Sequence, residues 1–429
     1  MYKTRQMCLC RRTEGVEVNR WTRVTLDDSM SSKGEDYLDN EYYVYNRWLF
    51  GLIGLWEDKI SSKKLIYVCF LNFIIIIAVF EQIYVIFSLK GELNSIAKLL
   101  ETTLITLSFG SCYYNLLSNN IIMKKILRRI DCDWKKLANK RELFILKEYA
   151  NISRMCTIGN IISFYLYIGF LIFPSLQRFI QHIFGVVSYN ELILPVRFDH
   201  FMKNRAGYYL GLCIQYAVII ILCTVAIANY TMFIVVILHA CALFNVVVWR
   251  INDRFKDNRN NFYGSNENDK LLDENEWIVD IIKFYKSVIE LVDLIKLFYE
   301  GINIFEGFFA MLITMIDYFY LFQLLTSDVN KTDGLTKLLY VIGSMSVIFV
   351  YFHLGQQLID HNNYVFVTLC QIPFYSLSLK TQKLILFLIM RSMMVCNLSW
   401  KGTIVFSHNL FTVFIQKSLS FAMVFYNLQ

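Results

Sequence analysis

Seven apolar stretches of more than 20 residues constrain this chain more than any other feature of its sequence. The hydrocarbon core of a bilayer is about 30 Å thick, and a helix needs about 20 apolar residues to cross it. The 429-residue chain is 56% hydrophobic and 18% charged, whereas soluble proteins carry about 25% charged residues. The sequence therefore predicts an all-α polytopic membrane protein and argues against a soluble enzyme. The predicted spans are Leu65–Leu89, Ile96–Asn119, Cys156–Leu176, Gly207–Ile251, Leu294–Leu325, Leu335–Leu358 and Thr403–Leu428.

The fourth apolar run, Gly207–Ile251, is 45 residues long and has one charged residue, Arg250. It is either two spans that turn near Asn229–Thr231 or one long helix that continues into the cytoplasm. Cytoplasmic loops carry an excess of Lys and Arg, and the one-helix topology places 33 of these 42 residues inside and 8 outside. A turn would place 23 inside and 18 outside. The sequence therefore predicts seven transmembrane helices, a cytoplasmic N-terminus and an extracellular C-terminus, opposite to a G-protein-coupled receptor.

The charged and nucleophilic residues show no pattern that predicts catalysis, metal binding or nucleic-acid binding. The net charge of +7 fits the basic bias of cytoplasmic loops. The 11 cysteines and six histidines show no metal-ligand spacing, and no phosphate loop or nucleophile motif is present. Glu81 and Glu300 lie in predicted spans, where we expect them to be solvated or paired. We therefore expect no enzyme activity, no cofactor and no bound metal.

The C-terminal third contains the most specific motifs of the chain. They are Gly355–Asn362, which reads GQQLIDHN, Leu379–Ser392, which reads LKTQKLILFLIMRS, and Leu419–Phe425, which reads LSFAMVF. These motifs resemble the C-terminal signature of the insect odorant receptors, and the first is similar to its hymenopteran form. The weaker matches are Asp36–Arg47, Ile53–Trp56 and Leu194–Phe198.

Three features depart from the family pattern. Glu57 stands where the family usually has proline, and Trp400–Gly402 stands where it often has a pair of glycines. The resemblance covers about residues 36–429, so residues 1–35 are expected to be an extension from outside the family pattern. None of these departures affects the C-terminal motifs.

The resemblance implies an odorant-binding subunit of a ligand-gated, non-selective cation channel. Such subunits assemble with a shared co-receptor, in an expected tetramer around a central pore, in the plasma membrane of olfactory neuron dendrites. The segment between the fourth and fifth spans is short, about 252–276, which is typical of the odorant-tuning subunit. The expected regions are 1–64 (cytoplasmic), 65–251 (helices 1–4 with the ligand region), 252–402 (cytoplasmic anchor segments with helices 5–6) and 403–429 (the pore-lining helix).

The resemblance also implies a binding region for a small volatile ligand among the outer halves of the second, third, fourth and sixth spans. Aromatic and aliphatic walls with a few hydroxyl groups suit a small apolar molecule. The alternative is that these residues only pack helices together. The candidate residues are Leu104, Ser108, Tyr165, Ile168, Gly169, Ile172, Leu212, Gln215, Tyr216, Tyr340, Gly343 and Ser344.

The last span is expected to line the pore. Matching its end to the co-receptor pattern places Val424 and Leu428 at an apolar constriction, with Asn427 beside it, and apolar rings gate ion flow by excluding water. Lys417 lies deep in the same span, where a charge is costly unless it is paired or wet. Its expected partners are Glu306, Asp317 or pore water.

Assembly with the co-receptor is expected to involve the segments Leu271–Lys296 and Leu379–Met394 together with the last span. In the first segment, apolar residues such as Ile278, Ile282 and Ile289 recur at helical spacing. Two other functions remain open from the sequence. A gustatory-type receptor channel would share the topology but normally ends in a different last-span motif. A solute transporter would be favoured by internal repeats and broken helices, which are not visible in this sequence.

Overall fold

The computed structural model describes residues 41–55, 62–88, 93–137, 140–195, 205–257, 267–326, 331–400 and 404–427. In these ranges the fold is all-α, as the sequence predicts, apart from one pair of two-residue strands. The helices are α1 (Val44–Leu52), α2 (Ser62–Ser88), α3 (Leu93–Ser118), α4 (Asn120–Lys136), α5 (Lys140–Ile183), α6 (Arg205–Asp257), α7 (Glu267–Thr326), α8 (Lys331–Cys370), α9 (Leu379–Ser392) and α10 (His408–Asn427). Strands β1 (Ser399–Trp400) and β2 (Ile404–Val405) pair antiparallel just before α10.

The long apolar run forms one continuous helix, α6, of 53 residues. This confirms one helix rather than two spans that turn near Asn229. The Asn229 amide donates to Cys112 Sγ at 3.3 Å, and the Thr231 hydroxyl donates to the Ile227 carbonyl at 2.7 Å. Between Leu222 and Ile251 most side chains are buried on every side, which is typical of a helix at the centre of a bundle.

Five helices within the described ranges are long and apolar enough to cross a bilayer. They contain Leu65–Phe87, Arg141–Ile183, Arg205–Phe255, Leu271–Leu324 and Val341–Cys370, and they correspond to the first, third, fourth, fifth and sixth predicted spans. Helices α3 and α10, in the second and seventh predicted spans, do not meet the same criteria of length and hydropathy. The seven-span topology and its orientation therefore stay predictions.

The last predicted span begins too early. Its first residues do not continue the helix, because Ile404 and Val405 pair with Ser399 and Trp400 as strands. Helix α10 begins only at His408 and is 20 residues long.

One face of the segment Leu271–Lys296, which is expected to meet a partner subunit, is covered within the chain. The segment forms the first half of α7, a continuous helix of 60 residues. Ile278 and Val288 have no exposed surface, and Ile289 is 7% exposed. The apolar periodicity of these residues therefore reflects packing within the chain, against α6 and α8, and contact of the segment with a co-receptor stays a prediction.

The first two C-terminal motifs join four helices, α5, α7, α8 and α9. The Asn362 amide donates to the Ser392 carbonyl at 3.3 Å, and its oxygen accepts the Tyr285 hydroxyl of α7 at 2.8 Å. His361 Nε2 lies 2.7 Å from the Tyr149 hydroxyl of α5. Beyond α9, burial raises the pKa of the Cys396 thiol to about 12, so this side chain stays a neutral thiol at physiological pH.

Gly355 brings α8 against the segment that precedes α10. A Cβ atom at this position would lie 2.9 Å from Cβ of Phe406 and closer still to its carbonyl oxygen. Only a residue without a side chain permits this approach. The glycine of the GQQLIDHN motif therefore has a packing role.

Candidate functional site

A small cleft opens where α5, α6 and α8 meet, the helices that form the third, fourth and sixth predicted spans. Its interior volume is about 10 Å³, which is room for about one water molecule. Its walls are mainly aromatic and aliphatic, with one carboxamide side chain. The lining residues are Asn160, Tyr230, Phe233, Ile234, Val347, Val350, Tyr351 and Leu354.

The two tyrosines of the cleft are hydrogen-bonded to α7. The Tyr230 hydroxyl donates to Glu306 Oε2 at 3.2 Å, and the Tyr351 hydroxyl donates to Asn303 Oδ1. Tyr351 also stacks on Phe233, with ring centroids 4.2 Å apart and an angle of 11° between the planes. Since both hydroxyls already have acceptors on α7, the rings present mainly apolar surface to the cleft.

Glu306 of α7 lies at the centre of a polar cluster that joins three helices. Its carboxyl oxygens accept hydrogen bonds from Ser108 at 2.7 Å, Ser111 at 2.8 Å and Tyr230 at 3.2 Å. The Cys112 thiol adds a contact at 3.4 Å. A carboxyl group inside a membrane helix is costly unless it is hydrogen-bonded or solvated, and donors from α3 and α6 meet this need here.

Aromatic contacts lead from the cleft to α10. Phe352, next to Tyr351 in the sequence, lies 5.8 Å from the rings of Phe411 and Phe414. On the other side, Phe322 of α7 lies 5.7 Å from Tyr426 of α10. Helix α7, which accepts the hydrogen bonds of the two tyrosines, and helix α8, which carries Tyr351, therefore both pack directly on α10.

The structure does not gather the twelve predicted ligand residues into one pocket. The Tyr165 hydroxyl lies 3.0 Å from the Thr224 hydroxyl of α6, and Ile168 and Ile172 of the same helix pack on the main hydrophobic core. The Tyr216 hydroxyl lies 2.9 Å from the Ser175 hydroxyl. These contacts join α5 to α6, as the packing alternative expects.

The other predicted ligand residues fall into separate environments. Leu104 is 6% exposed, Ser108 donates to Glu306, and Ser344 donates to Asp317 at 2.6 Å. Leu212 belongs to a second hydrophobic cluster with Leu192, Leu194 and Tyr208. Gln215 borders a different groove, between α2 and α6. The remaining positions are Gly169 and Gly343, where an added Cβ atom would meet nothing within 4 Å, and Tyr340, whose side chain lies outside the described part of the chain.

The cleft uses three of the four expected helices, without α3, and lies away from the predicted residues on each of them. On α6 it begins at Tyr230, about 21 Å beyond Tyr216 at 1.5 Å per residue. On α8 it includes Tyr351, about 10 Å beyond Ser344. Sequence reasoning missed these residues because tyrosines are frequent throughout the chain, 27 in all. The usable signal was Glu306, since a carboxyl group inside a span predicts donors from neighbouring helices.

The predicted pore residues lie on the uncovered face of α10. Val424 is 55% exposed, whereas Ser418 and Ala422 are fully buried. Lys417 and Asn427 are also exposed, and Lys417 has no ion-pair partner within the described ranges. Its expected partners are engaged elsewhere, Glu306 by Ser108 and Asp317 by Ser344. Leu428 lies outside the described residues.

Long apolar helices packed around a buried central helix define a helical protein of the membrane-spanning type. The 7tm odorant receptor family model matches residues 99–418. The chain therefore belongs to this family, which confirms the resemblance seen in its C-terminal motifs. No curated protein sequence is significantly similar to the chain.

Two solved structures have the same fold. The first is the insect olfactory receptor OR5 from Machilis hrabei in complex with eugenol, with a TM-score of 0.71 and 10% sequence identity. The second is a structure of the same receptor with a TM-score of 0.68 and 11% identity. Each similarity covers 91% of this chain and 100% of that receptor. Neither the matching family nor these neighbours are enzymes.

Proposed function

We propose that this protein is the odorant-binding subunit of a ligand-gated, non-selective cation channel and assembles with a co-receptor. Membership of the odorant receptor family supports the receptor role, and the Machilis receptor of the same fold is described in complex with eugenol, a small organic molecule. The proposed location is the plasma membrane of olfactory neuron dendrites, because detection of volatile molecules occurs there.

The proposed ligand site is the aromatic cleft between α5, α6 and α8. Its walls are apolar apart from the Asn160 carboxamide, a lining that suits a small apolar molecule. Asn160 Nδ2 donates to the Cys156 carbonyl at 2.9 Å, so the amide oxygen is the group available to accept a ligand hydroxyl. The observation that carries this assignment is that the cleft's two tyrosines are hydrogen-bonded to α7.

Ligand binding acts on α10 through these tyrosines. A molecule in the cleft presses against Tyr230 and Tyr351, and their hydrogen bonds to Glu306 and Asn303 transmit a displacement to α7. Helix α7 packs along α10. A ligand shifts such an equilibrium only as far as it binds one state better than the other. Coupling of ligand binding to pore opening therefore requires the cleft to bind the ligand with different affinity in the closed and open states.

In this proposal the exposed face of α10 lines the pore. Val424 lies seven residues after Lys417, so the two side chains share one face about two turns apart. When copies of this face meet around an axis, Val424 forms an apolar constriction. Lys417 then faces pore water instead of a buried partner, which fits its exposure in the single chain.

The test is current recording from cells that co-express the chain and a co-receptor, with an odorant panel. Val347→Phe fills the cleft and is expected to raise the half-maximal odorant concentration at least tenfold. Ile342→Phe is the matched control, because Ile342 is on the same helix, is 54% exposed and lies outside the cleft. If Tyr216→Ala alters the odorant response and Val347→Phe does not, the ligand binds among the outer residues and the cleft assignment is wrong.

A further inference from the structure

A second groove lies between α2 and α6, away from the aromatic cleft. Its interior volume is about 30 Å³, and it is bordered by Ala78 and Glu81 of α2 and by Ile214 and Ile219 of α6. On α6, Ile219 lies eleven residues before Tyr230, a separation of about 16 Å along the helix axis. The two sites therefore use different parts of α6 and are physically distinct.

Two hydrogen-bond acceptors at this groove lack donors. Glu81 makes no hydrogen bond or ion pair with any residue in the described ranges. Its neighbour Gln82 is 7% exposed, and its buried Oε1 has no hydrogen-bond partner within the same ranges. Gln215 contributes a third polar side chain to the border. Buried polar groups without partners are costly, and ionisable residues inside a span indicate a functional site.

The groove is open toward the surface of the bundle that faces lipid. At its border, Glu81, Ile214 and Ile219 are each partly exposed in the single chain. The partly exposed isoleucines are expected to contact lipid tails. A molecule dissolved in the bilayer can therefore reach the groove from the side, without entering the aromatic cleft.

We propose that this groove binds a small amphiphile with a hydrogen-bond-donating head group, either a hydroxyl or a protonated amine, on an apolar body. The donor satisfies Gln82 Oε1 and the Glu81 carboxyl, while Ala78, Ile214 and Ile219 contact the apolar part. A volatile alcohol or amine and a membrane lipid with an amine head group share this chemistry. The proposal is independent of the odorant cleft and goes beyond the function proposed above.

The test measures thermal unfolding of the full-length receptor assembly in phosphatidylcholine nanodiscs. Decanol and decylamine are the probes, and decyl methyl ether is the matched molecule without a donor. We expect both donor probes to raise the melting temperature by about 1–3 °C at five times their dissociation constant, and the ether to leave it unchanged. Equal shifts with the ether would overturn the proposal.

Paired variants locate the effect. Ile219→Trp fills the groove and is expected to abolish the shift, whereas Ile220→Trp places the same side chain at the adjacent, 46% exposed position and should preserve it. Equal shifts in these two variants would refute the site. Glu81→Gln, which keeps a similar shape, should weaken decylamine binding at least tenfold and preserve decanol binding. If Glu81→Gln keeps both decylamine binding and decanol binding, contact of the ligand with this carboxyl group is excluded.

Two further measurements identify the natural source of the ligand. If the ligand is a lipid, native mass spectrometry of the assembly from cell membranes should detect retained phosphatidylethanolamine. This lipid should be absent from the Ile219→Trp variant. Modulation of odorant-evoked current by decylamine vapour, lost in the same variant, would indicate a volatile ligand. If neither the retained lipid nor the modulation of odorant-evoked current is observed, the proposal is overturned. None of these results depends on the aromatic cleft, so failure here is distinguishable from failure of the proposed function.

Discussion

Replacing Tyr230 with phenylalanine removes the hydroxyl that donates to Glu306 at 3.2 Å and leaves the aromatic wall of the cleft in place. Glu306 keeps its hydrogen bonds from Ser108 and Ser111, so its carboxyl group does not become an orphan. The variant therefore loses one hydrogen bond. Its net contribution to stability is about 1.5 kcal/mol, the upper end of the range for neutral partners and the lower end of the range for charged ones. About 1.4 kcal/mol corresponds to a tenfold change in an equilibrium constant.

This magnitude limits the effect on gating. If the Tyr230–Glu306 hydrogen bond exists in only one of the closed and open states, Tyr230→Phe changes the gating equilibrium up to about tenfold. The half-maximal odorant concentration then shifts by the same factor at most. If the bond persists in both states, the variant lowers only the stability of the fold.

The assay is the odorant concentration–response curve in cells that co-express a co-receptor, at matched surface expression. The control is Tyr285→Phe, because the Tyr285 hydroxyl donates to Asn362 Oδ1 at 2.8 Å and joins α7 to α8 away from the cleft. Tyr285→Phe should lower stability by about 1 kcal/mol and leave the curve unchanged. Superimposable curves for Tyr230→Phe and Tyr285→Phe would refute the proposed coupling.

Three further predictions concern other parts of the molecule. Gly355→Ala should destabilise the protein by about 1–3 kcal/mol, because its Cβ would contact Phe406; normal thermal stability of the purified variant would contradict this close approach. Val424→Asn should raise the current without ligand by wetting the constriction, and Lys417→Gln should raise calcium permeability relative to sodium by removing positive charge; unchanged basal current and reversal potentials would exclude this face from the pore. A tag after Gln429 should be stained on intact cells and a tag at Met1 only after permeabilisation, and the reverse pattern would refute the predicted orientation.

The sequence predicted the helices much better than it predicted their neighbours. The run Gly207–Ile251 was correctly interpreted as one helix. The distribution of Lys and Arg between the predicted inner and outer segments argued against a hairpin near Asn229. The periodicity of the segment at Ile278 and Ile289 correctly indicated a buried face. It could not indicate what covers that face, since packing within a chain and packing between chains require the same apolar spacing.

The candidate site shows the same limit. The sequence selected α3, α5, α6 and α8, and the cleft lies between the last three of these, but none of the twelve predicted ligand residues borders it. The prediction chose those residues by their distance from the outer end of each span. Helices that cross at an angle meet at depths set by their side chains, so equal distances from the outer ends do not bring residues together.

By itself, the sequence determined the all-α class, the single long central helix and the family. Run length, the positions of charged residues and the C-terminal motifs are local in the chain and are read directly from it. Only the tertiary structure decided which polar groups share a partner. Ser108 and Glu306 are 198 positions apart and 2.7 Å apart in space. Their pairing depends on how α3, α6 and α7 pack, and the hydrogen bonds of Tyr230 and the position of the cleft follow from that packing.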